Sequence, residues 1–238
     1  MTNLTIQLLG IGAVKLSDGE KTIYVDAFTK PDFVKPHVVE KADLILLTHN
    51  DQDHFGFEET AQAALETGAM VVGPPGIAYP LLAETKLPPE QLKIVYPIHF
   101  KQPLIEEING IKLKVYQTTH FVDWEPPHIS FLLELGGKRI YIAGDTYMMD
   151  EEDADLQNLD AVLYSLVFKD LSVPTIMDEH LAKLEAVQAQ FSPQYLLPSH
   201  LVACNWTIDP SVLKKEVGQQ GLKNIVVMED AQQKFEIA

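Results

Sequence analysis

A length of 238 residues suits one domain, or two at most, and 46% hydrophobic with 22% charged residues is typical of a globular protein. This composition excludes a disordered chain. Lys and Arg number 18 and Asp and Glu number 34, which gives a formal net charge of −16. Such a charge disfavours binding to nucleic acid or to an anionic membrane. It is explained either by solubility alone or by carboxylates that hold metal cations.

The cysteine content and the hydropathy indicate the cellular compartment of the protein. The single cysteine, Cys204, excludes an internal disulfide and a zinc site built from several thiolates. The first residues show neither a basic start nor a long apolar run, so no signal peptide is predicted. No stretch approaches the roughly 20 apolar residues that span a bilayer. We therefore expect a cytoplasmic protein.

Short strands dominate the predicted elements of the first half. A helix over 57–66 is expected to end at Gly68, and Asp18-Gly19 predicts a hairpin turn. The continuous apolar run at 44–47 is typical of a strand that is buried on both faces. The predicted strands of this half are residues 4–9, 13–16, 22–25, 44–47 and 70–72.

The second half adds more strands and then alternates them with helices. Strands are predicted over 93–96, 111–117, 129–135, 139–143, 161–166, 195–197 and 225–228, with a hairpin at Gly136-Gly137. Helices are predicted over 178–191, with Asp178 as the N-cap, and over 210–217. We find no repeat and no linker, so a single domain over 1–238 is predicted. The pattern indicates two sheets packed face to face with helices outside.

A dense group of metal-binding side chains follows the buried strand at 44–47. The segment Thr48-His49-Asn50-Asp51-Gln52-Asp53-His54 holds four imidazole or carboxylate groups within six residues. These groups suit Zn²⁺, Mn²⁺ or Fe²⁺. A turning loop can direct residues 49 and 51 at one ion and residues 53 and 54 at its neighbour. The alternative, a polar loop that only caps the next helix, does not explain two histidines.

Three further polar residues each lie just past an apolar strand. They are His120, Asp145 and His200. Ligands bind at this edge of α/β folds, although a single His or Gly-Asp-Thr turn in such a place is more often structural. The joint occurrence of the three residues, in this order, makes them candidates to complete the site. Asp26, at the end of the run 22–25, is a candidate support.

Together these residues resemble the signature of the metallo-β-lactamase superfamily, a His-x-His-x-Asp-His segment followed by His, Asp and His. The resemblance covers most of the chain and includes Gly10-Ile11-Gly12-Ala13 and Tyr24-Val25-Asp26. Within the superfamily the chain is similar to compact metal-dependent hydrolases related to ascorbate-6-phosphate lactonase. The resemblance implies an α/β fold, the four-layer αββα sandwich, with a dinuclear site at one edge of the two sheets.

The resemblance also implies a ligand set for two divalent metal ions. One ion would take His49, Asp51 and His120. The other would take Asp53, His54 and His200, with Asp145 as the bridge between the two ions. Residue 51 departs from the family pattern, because most members have His where this chain has Asp. A carboxylate there favours Mn²⁺ or Fe²⁺ relative to Zn²⁺ without deciding the metal.

Two other histidines are candidates near the site. By resemblance to phosphodiesterase-like members, His180 at the start of the helix 178–191 would face the substrate, bind a phosphate or protonate a leaving group. A solvated histidine at a helix start is an equal alternative. His128 is a weaker candidate, as a pocket residue or as a replacement for His120 in the ligand set. The loops 121–127 and 167–178 are expected to form the walls of the pocket.

The predicted activity follows from the two ions. A water activated by metal ions would attack a small ester, lactone or phosphodiester, with Asp53 as both ligand and proton acceptor. We therefore predict a metal-dependent hydrolase with a small-molecule substrate. Because similar proteins often assemble, a homo-oligomer is a further expectation. The alternative is an iron-binding redox or sensor protein without hydrolase activity. A nuclease is less favoured, because Lys and Arg are scattered along a strongly acidic chain.

Overall fold

The structure is a computed structural model that covers most of the chain. The described residues are 3–29, 34, 37, 39–99, 102–120, 127–146, 153–166, 177–201, 209–230 and 233–238. Cys204 and most of the two loops expected to wall the pocket, residues 121–126 and 167–176, lie outside them. Within the described residues, no helix combines the length and the apolar character needed to cross a bilayer.

The described elements are strands and helices with short connections. The strands are β1 (Leu4–Leu8), β2 (Val14–Ser17), β3 (Thr22–Val25), β4 (Leu44–Leu46), β5 (Met70–Gly73), β6 (Leu92–Ile94), β7 (Leu104–Ile108), β8 (Ile111–Thr118), β9 (His128–Leu135), β10 (Lys138–Ile142), β11 (Ala161–Ser165), β12 (Tyr195–Ser199) and β13 (Lys234–Ile237). The α-helices are α1 (Phe57–Thr67), α2 (Ala78–Glu84), α3 (Met177–Phe191) and α4 (Pro210–Gln219). As predicted, α1 ends at Gly68, which adopts a left-handed backbone with φ 75°.

The strands form two mixed sheets. One sheet has the order β13-β1-β2-β3-β4-β5-β6, and the other has the order β12-β11-β10-β9-β8-β7. In the first sheet β3 to β6 run parallel. In the second sheet β10, β11 and β12 run parallel, and β8 shares their direction because both β8 and β10 pair antiparallel with β9. The carboxyl ends of β8, β10 and β12 therefore share one edge.

Buried apolar side chains form three layers. The layer between the sheets includes Ile6, Leu44 and Phe131. A second layer lies between the first sheet and the helices α1 and α2, and a third lies between the other sheet and the helices α3 and α4. Two sheets enclosed by helices on both sides confirm the predicted four-layer αββα sandwich.

The predicted strand over 225–228 is wrong. Ile225 makes only an isolated parallel bridge to Leu196, and the apolar residues Val227 and Met228 are buried by packing rather than by a ladder. An apolar run signals burial but not strand pairing, which depends on distant residues. The final strand is β13, which pairs antiparallel with β1. The sequence prediction misses β13, as it misses β7 and α2.

The start of α3 also differs from the prediction. The sequence predicts Asp178 as the N-cap, but the helix begins at Met177, so Asp178 lies in the first turn. Its negative charge remains favourable there, because the amino-terminal end of a helix carries a partial positive charge.

Candidate metal centre

Polar side chains from both sheets meet at one edge of the sandwich. They are Asp26 after β3, residues 49–54 after β4, His120 after β8, Asp145 after β10 and His200 after β12. Each of them follows a strand closely, so the rigid sheets position these side chains. The edge is therefore suited to hold a precise set of ligands.

Two of these residues have a left-handed backbone. Asp26 has φ 48° and His200 has φ 63°. Such conformations cost about 1–3 kcal/mol each for residues other than Gly, and they persist only where the surroundings fix them. The Asp26 N–H donates to the Leu46 carbonyl at 3.0 Å, and the His200 N–H donates to the Ile11 carbonyl at 2.6 Å. These hydrogen bonds fix the backbone of both residues at the border of the candidate site.

The first group of candidate ligands consists of His49, Asp51 and His120, whose ligand atoms lie within 4.8 Å of one another. Asp51 Oδ2 lies 3.7 Å from His49 Nε2 and 3.9 Å from His120 Nδ1. His49 and His120 are buried, whereas the Asp51 side chain is 47% exposed. The group thus opens to solvent on the side of Asp51.

The second group consists of Asp53, His54, Asp145 and His200, also within 4.8 Å. His200 Nε2 lies 3.4 Å from Asp53 Oδ2. Asp145 Oδ2 lies 3.1 Å from His54 Nε2 and 3.3 Å from His200 Nε2. The same oxygen lies 3.8 Å from Nε2 of His120, a member of the first group. Asp145 therefore lies between the two groups.

Asp26 and Thr48 orient one imidazole of each group. Asp26 Oδ2 accepts hydrogen bonds from His54 Nδ1–H at 3.0 Å and from the Thr48 hydroxyl at 2.7 Å. Since the Thr48 hydroxyl proton goes to Asp26, His49 Nδ1–H donates to Thr48 Oγ1 at 2.8 Å. Both histidines are thereby held in the tautomer that leaves the Nε2 lone pair available to a cation.

The charges of the groups influence one another. Burial and the neighbouring imidazoles hold the pKa of His49 well below its ordinary value. Burial opposes ionisation of Asp145, but His54 and His200 outweigh it and hold the pKa of Asp145 well below the usual range. Burial also opposes protonation of His54, yet Asp145 and Asp26 raise its pKa well above 6.5. The two carboxylates thus favour protonation of His54, and a cation bound at Nε2 would displace that proton.

The donor set fits a pair of divalent cations. Among the described residues, His49 Nε2 and Asp145 Oδ1 are buried polar atoms without a hydrogen-bond partner. An unpaired buried polar atom costs about 1–3 kcal/mol, so these atoms are expected to have partners in the working protein. Imidazole nitrogens and carboxylate oxygens are ligands for Zn²⁺, Mn²⁺ and Fe²⁺.

A glycine makes room for His54. A Cβ at Gly12 would lie 2.3 Å from His54 Cε1 and 2.9 Å from His54 Nδ1. The imidazole therefore lies directly against the backbone of Gly12. Only a residue without a side chain permits this approach.

His128 is not a candidate ligand, because both its nitrogens bind protein groups. Its Nε2 accepts the Asp145 N–H at 3.1 Å, and its Nδ1–H donates to Thr118 Oγ1 at 2.5 Å. Burial lowers the pKa of His128 to about 3, so the ring is neutral at pH 7. The alternative in which His128 replaces His120 as ligand is therefore wrong.

His180 is buried in the first turn of α3, so the interpretation as a solvated histidine is wrong. Burial lowers its pKa to about 4. The neutral form therefore predominates at pH 7. Its predicted role toward the substrate stays a prediction.

Comparison with known proteins decides the family. A family model described as "Beta-lactamase superfamily domain" matches residues 5–200, which include all residues of both groups. The chain belongs to the metallo-β-lactamase superfamily. Its resemblance to this superfamily, predicted from the motif at 49–54 and the three later residues, is confirmed.

Similar proteins agree with this membership of the metallo-β-lactamase superfamily. A UPF0173 metal-dependent hydrolase of Desulforamulus reducens is 25% identical over 95% of this chain and 97% of its own length. Another from Thermus thermophilus is 33% identical over 61% of this chain and 63% of its own length. The solved structure of Igni18, a metallo hydrolase from Ignicoccus hospitalis, superposes with a TM-score of 0.71 at 19% identity, covering 100% of this chain and 99% of that one. At 19% identity the likeness concerns the fold alone.

The structure brings together all seven residues predicted as ligands, in the two predicted groups. Their role as ligands stays a prediction. The sequence interpretation misses the roles of two residues at the site, namely Thr48 and Gly12. Thr48 and Gly12 each lie in a segment that the motif already marks, but their roles depend on contacts across the fold.

Proposed function

We propose that this protein is a metal-dependent hydrolase that uses two divalent cations. The observation that carries the proposal is the position of Asp145 Oδ2, within 3.8 Å of an imidazole nitrogen of the first group and within 3.3 Å of two in the second. A carboxylate shared between two ligand groups is the arrangement of two-metal hydrolytic sites. Relatives named as metal-dependent hydrolases support the same activity.

His49, Asp51 and His120 would hold one cation, and Asp53, His54 and His200 the other, with Asp145 between them. Divalent cations supply an acidified water and stabilise negative charge on the attacked oxygen. The ions can be Zn²⁺, Mn²⁺ or Fe²⁺, with Mn²⁺ and Fe²⁺ favoured by the carboxylate of Asp51.

Asp53 is the proposed proton acceptor because it is ionised and reachable from solvent. Burial opposes its ionisation, but His200 and His54 outweigh that effect and lower the pKa of Asp53 below its ordinary value. The carboxylate is therefore ionised at neutral pH. Its side chain is 26% exposed, so it is accessible from the open side of the site. Asp53 would take the proton of the attacking water.

For His180 we propose contact with the substrate in the neutral form. Its pKa of about 4 makes the imidazolium scarce at pH 7. We therefore favour a hydrogen bond from His180 to the substrate over protonation of the leaving group. The expected substrate is a small ester, lactone or phosphodiester, because a net charge of −16 disfavours a nucleic acid.

The test is hydrolysis by the protein loaded separately with Zn²⁺, Mn²⁺ or Fe²⁺. Suitable probes are p-nitrophenyl acetate, a γ-lactone and bis(p-nitrophenyl) phosphate, each compared with a chelator-treated sample. Asp145→Ala should reduce hydrolysis to the level of the chelated protein. Asp160→Ala is the matched control, since Asp160 binds the Arg139 N–H at the opposite edge of the second sheet and should retain activity. Full activity in Asp145→Ala would contradict the two-metal proposal.

A second candidate function is iron-dependent redox or sensing chemistry. The specific observation is that the first group contains two imidazoles and one carboxylate, from His49, His120 and Asp51. This combination is typical of non-haem Fe(II) sites. Iron retained through purification, with oxygen uptake and no hydrolysis of any probe, would favour this function over hydrolysis.

A further inference from the structure

We propose that His128 is a positioning residue that fixes the bridging carboxylate Asp145 relative to the first ligand group. The proposal rests on the two-cation site of the proposed function. His128 is not a ligand, because both its ring nitrogens are bound to protein groups. Its effect on metal binding would therefore be indirect, through Asp145.

The contacts of His128 fix the backbone at Asp145. Its Nε2 accepts the Asp145 N–H at 3.1 Å. Two residues along β9, the Ser130 hydroxyl donates to the Ala143 carbonyl at 2.7 Å. Side chains of β9 thus hold the segment 143–145 at both ends. The segment passes from β10 into the site between these two bonds.

The backbone at Gly144 is shaped around the His128 ring. Gly144 has φ 62°, and a Cβ there would lie 2.9 Å from both Cε1 and Nε2 of His128 and 3.0 Å from Thr48 Cβ. No side chain fits in this space. The turn that delivers Asp145 is therefore built directly against the imidazole.

The His128 ring also contacts two imidazoles of the first ligand group. His128 stacks on His120 with ring centroids 5.7 Å apart and 16° between the planes. Its centroid lies 4.9 Å from that of His49. One side chain thus contacts two members of the first group and the backbone of the residue placed to bridge both groups.

His128 also lies where the two sheets join. It pairs with Thr118 in the ladder between β8 and β9, and Thr118 Oγ1 receives its Nδ1–H. The next residue, Ile129, donates its N–H to the Thr48 carbonyl at 3.0 Å, which connects β9 to the loop after β4. The ring is therefore held by β8, and the backbone beside it is connected to the loop after β4, which gives the ring a fixed position from which to orient Asp145.

Three substitutions separate the contacts of His128. Gln places an oxygen near the position of Nε2 and retains an acceptor for the Asp145 N–H. Asn retains a polar group near Nδ1 for Thr118 but loses the acceptor for Asp145. Phe retains the ring and its stacking but loses both hydrogen bonds. His128→Gln and His128→Asn have nearly the same polarity, so each is the control for the other.

The experiment measures the stoichiometry and affinity of Mn²⁺ and Zn²⁺ by calorimetry, with the electronic absorption spectrum of the Co²⁺ form. We expect His128→Asn and His128→Phe to weaken the binding of at least one cation by about 10–100-fold, as substitutions behind metal ligands do. His128→Gln should lose less than about 10-fold and keep a Co²⁺ spectrum close to that of the wild type. Thermal unfolding of the metal-free variants identifies any that fails to fold.

The outcomes distinguish this proposal from the proposed function. Equal cation affinity in His128→Gln and His128→Asn would overturn the role of the Asp145 contact, whether both match the wild type or both are weakened. A wild-type protein that binds two cations and hydrolyses no probe would contradict the hydrolase while the affinities still decide the role of His128. A wild-type protein that binds no cation would overturn both.

Discussion

Asp26 Oδ2 accepts a hydrogen bond from His54 Nδ1–H at 3.0 Å, and the same oxygen accepts a second one from the Thr48 hydroxyl. One carboxylate thereby orients an imidazole in each ligand group, because the Thr48 hydroxyl that it holds accepts a hydrogen bond from His49 Nδ1–H. In Asp26→Asn an amide N–H₂ replaces an acceptor that faces two donors. We expect His54 to change tautomer and the affinity for the cations to fall about 10–100-fold. Calorimetric titration with Mn²⁺ or Zn²⁺ measures the change.

Asp43→Asn is the matched control for that substitution. Asp43 also accepts a backbone N–H, from Thr22 at 2.8 Å, but it precedes β4 at the edge opposite to the site. Its substitution should leave cation affinity unchanged. Equal losses in Asp26→Asn and Asp43→Asn would indicate a general effect on folding rather than on the orientation of His54.

Substitution of Gly12 by Ala should displace His54. The added Cβ would lie 2.3 Å from Cε1 of a buried ring, so either the ring or the backbone must move. We expect a loss of about 1–3 kcal/mol in unfolding free energy and weaker cation binding. Urea denaturation and cation titration measure the two effects. Gly218→Ala, in α4 with open space around the Cβ, should instead stabilise the protein by roughly 0.5–1 kcal/mol and bind cations as the wild type does.

Added metal should raise the melting temperature. A cation present at 100 times its dissociation constant stabilises the folded state by about 2.7 kcal/mol, which corresponds to roughly 5–10 °C in a chain of this size. Differential scanning calorimetry with and without Mn²⁺ or Zn²⁺ measures the shift. Asp145→Asn should show a smaller shift. An identical shift in the variant would exclude Asp145 from the cation site.

The stability of the metal-free protein should depend on Asp43 in a pH-dependent way. Partial burial opposes its ionisation, but the Thr22 N–H and the ammonium groups of Lys21 and Lys41 outweigh it and lower the pKa of Asp43. A lowered pKa contributes stability above the ordinary Asp value of about 4, and the contribution is lost as the pH falls through the lowered pKa. Asp43→Asn should therefore cost about 1 kcal/mol at pH 7 and progressively less in acid. Urea denaturation between pH 7 and acid measures this loss of unfolding free energy. A loss that does not change with pH would contradict the lowered pKa of Asp43.

The sequence predicts those parts of the site that are local in the chain. His49, Asp51, Asp53 and His54 occupy one loop, so a short segment reveals them. His120, Asp145 and His200 are recognisable only because each follows an apolar strand and because together they resemble a known pattern. Their convergence follows from the shared direction of β8, β10 and β12, which the strand pairing establishes.

Other features depend on contacts between distant residues and are not predicted. The proposed role of His128 follows from its pairing with Thr118 and from the approach of Gly144, neither of which is visible in the order of residues. The same holds for β13, whose four residues form a strand because β1 offers an edge for pairing. The run at 225–228 shows the converse, since its apolar residues are buried without a ladder.

Elemental analysis of the purified protein tests the central claim most directly. The two ligand groups and the shared position of Asp145 predict two equivalents of Mn, Fe or Zn per chain, and fewer in Asp145→Ala. Two equivalents in the wild type together with a loss in the variant would support the two-cation site. A wild-type protein that contains no metal after gentle purification and takes up none on titration would contradict it.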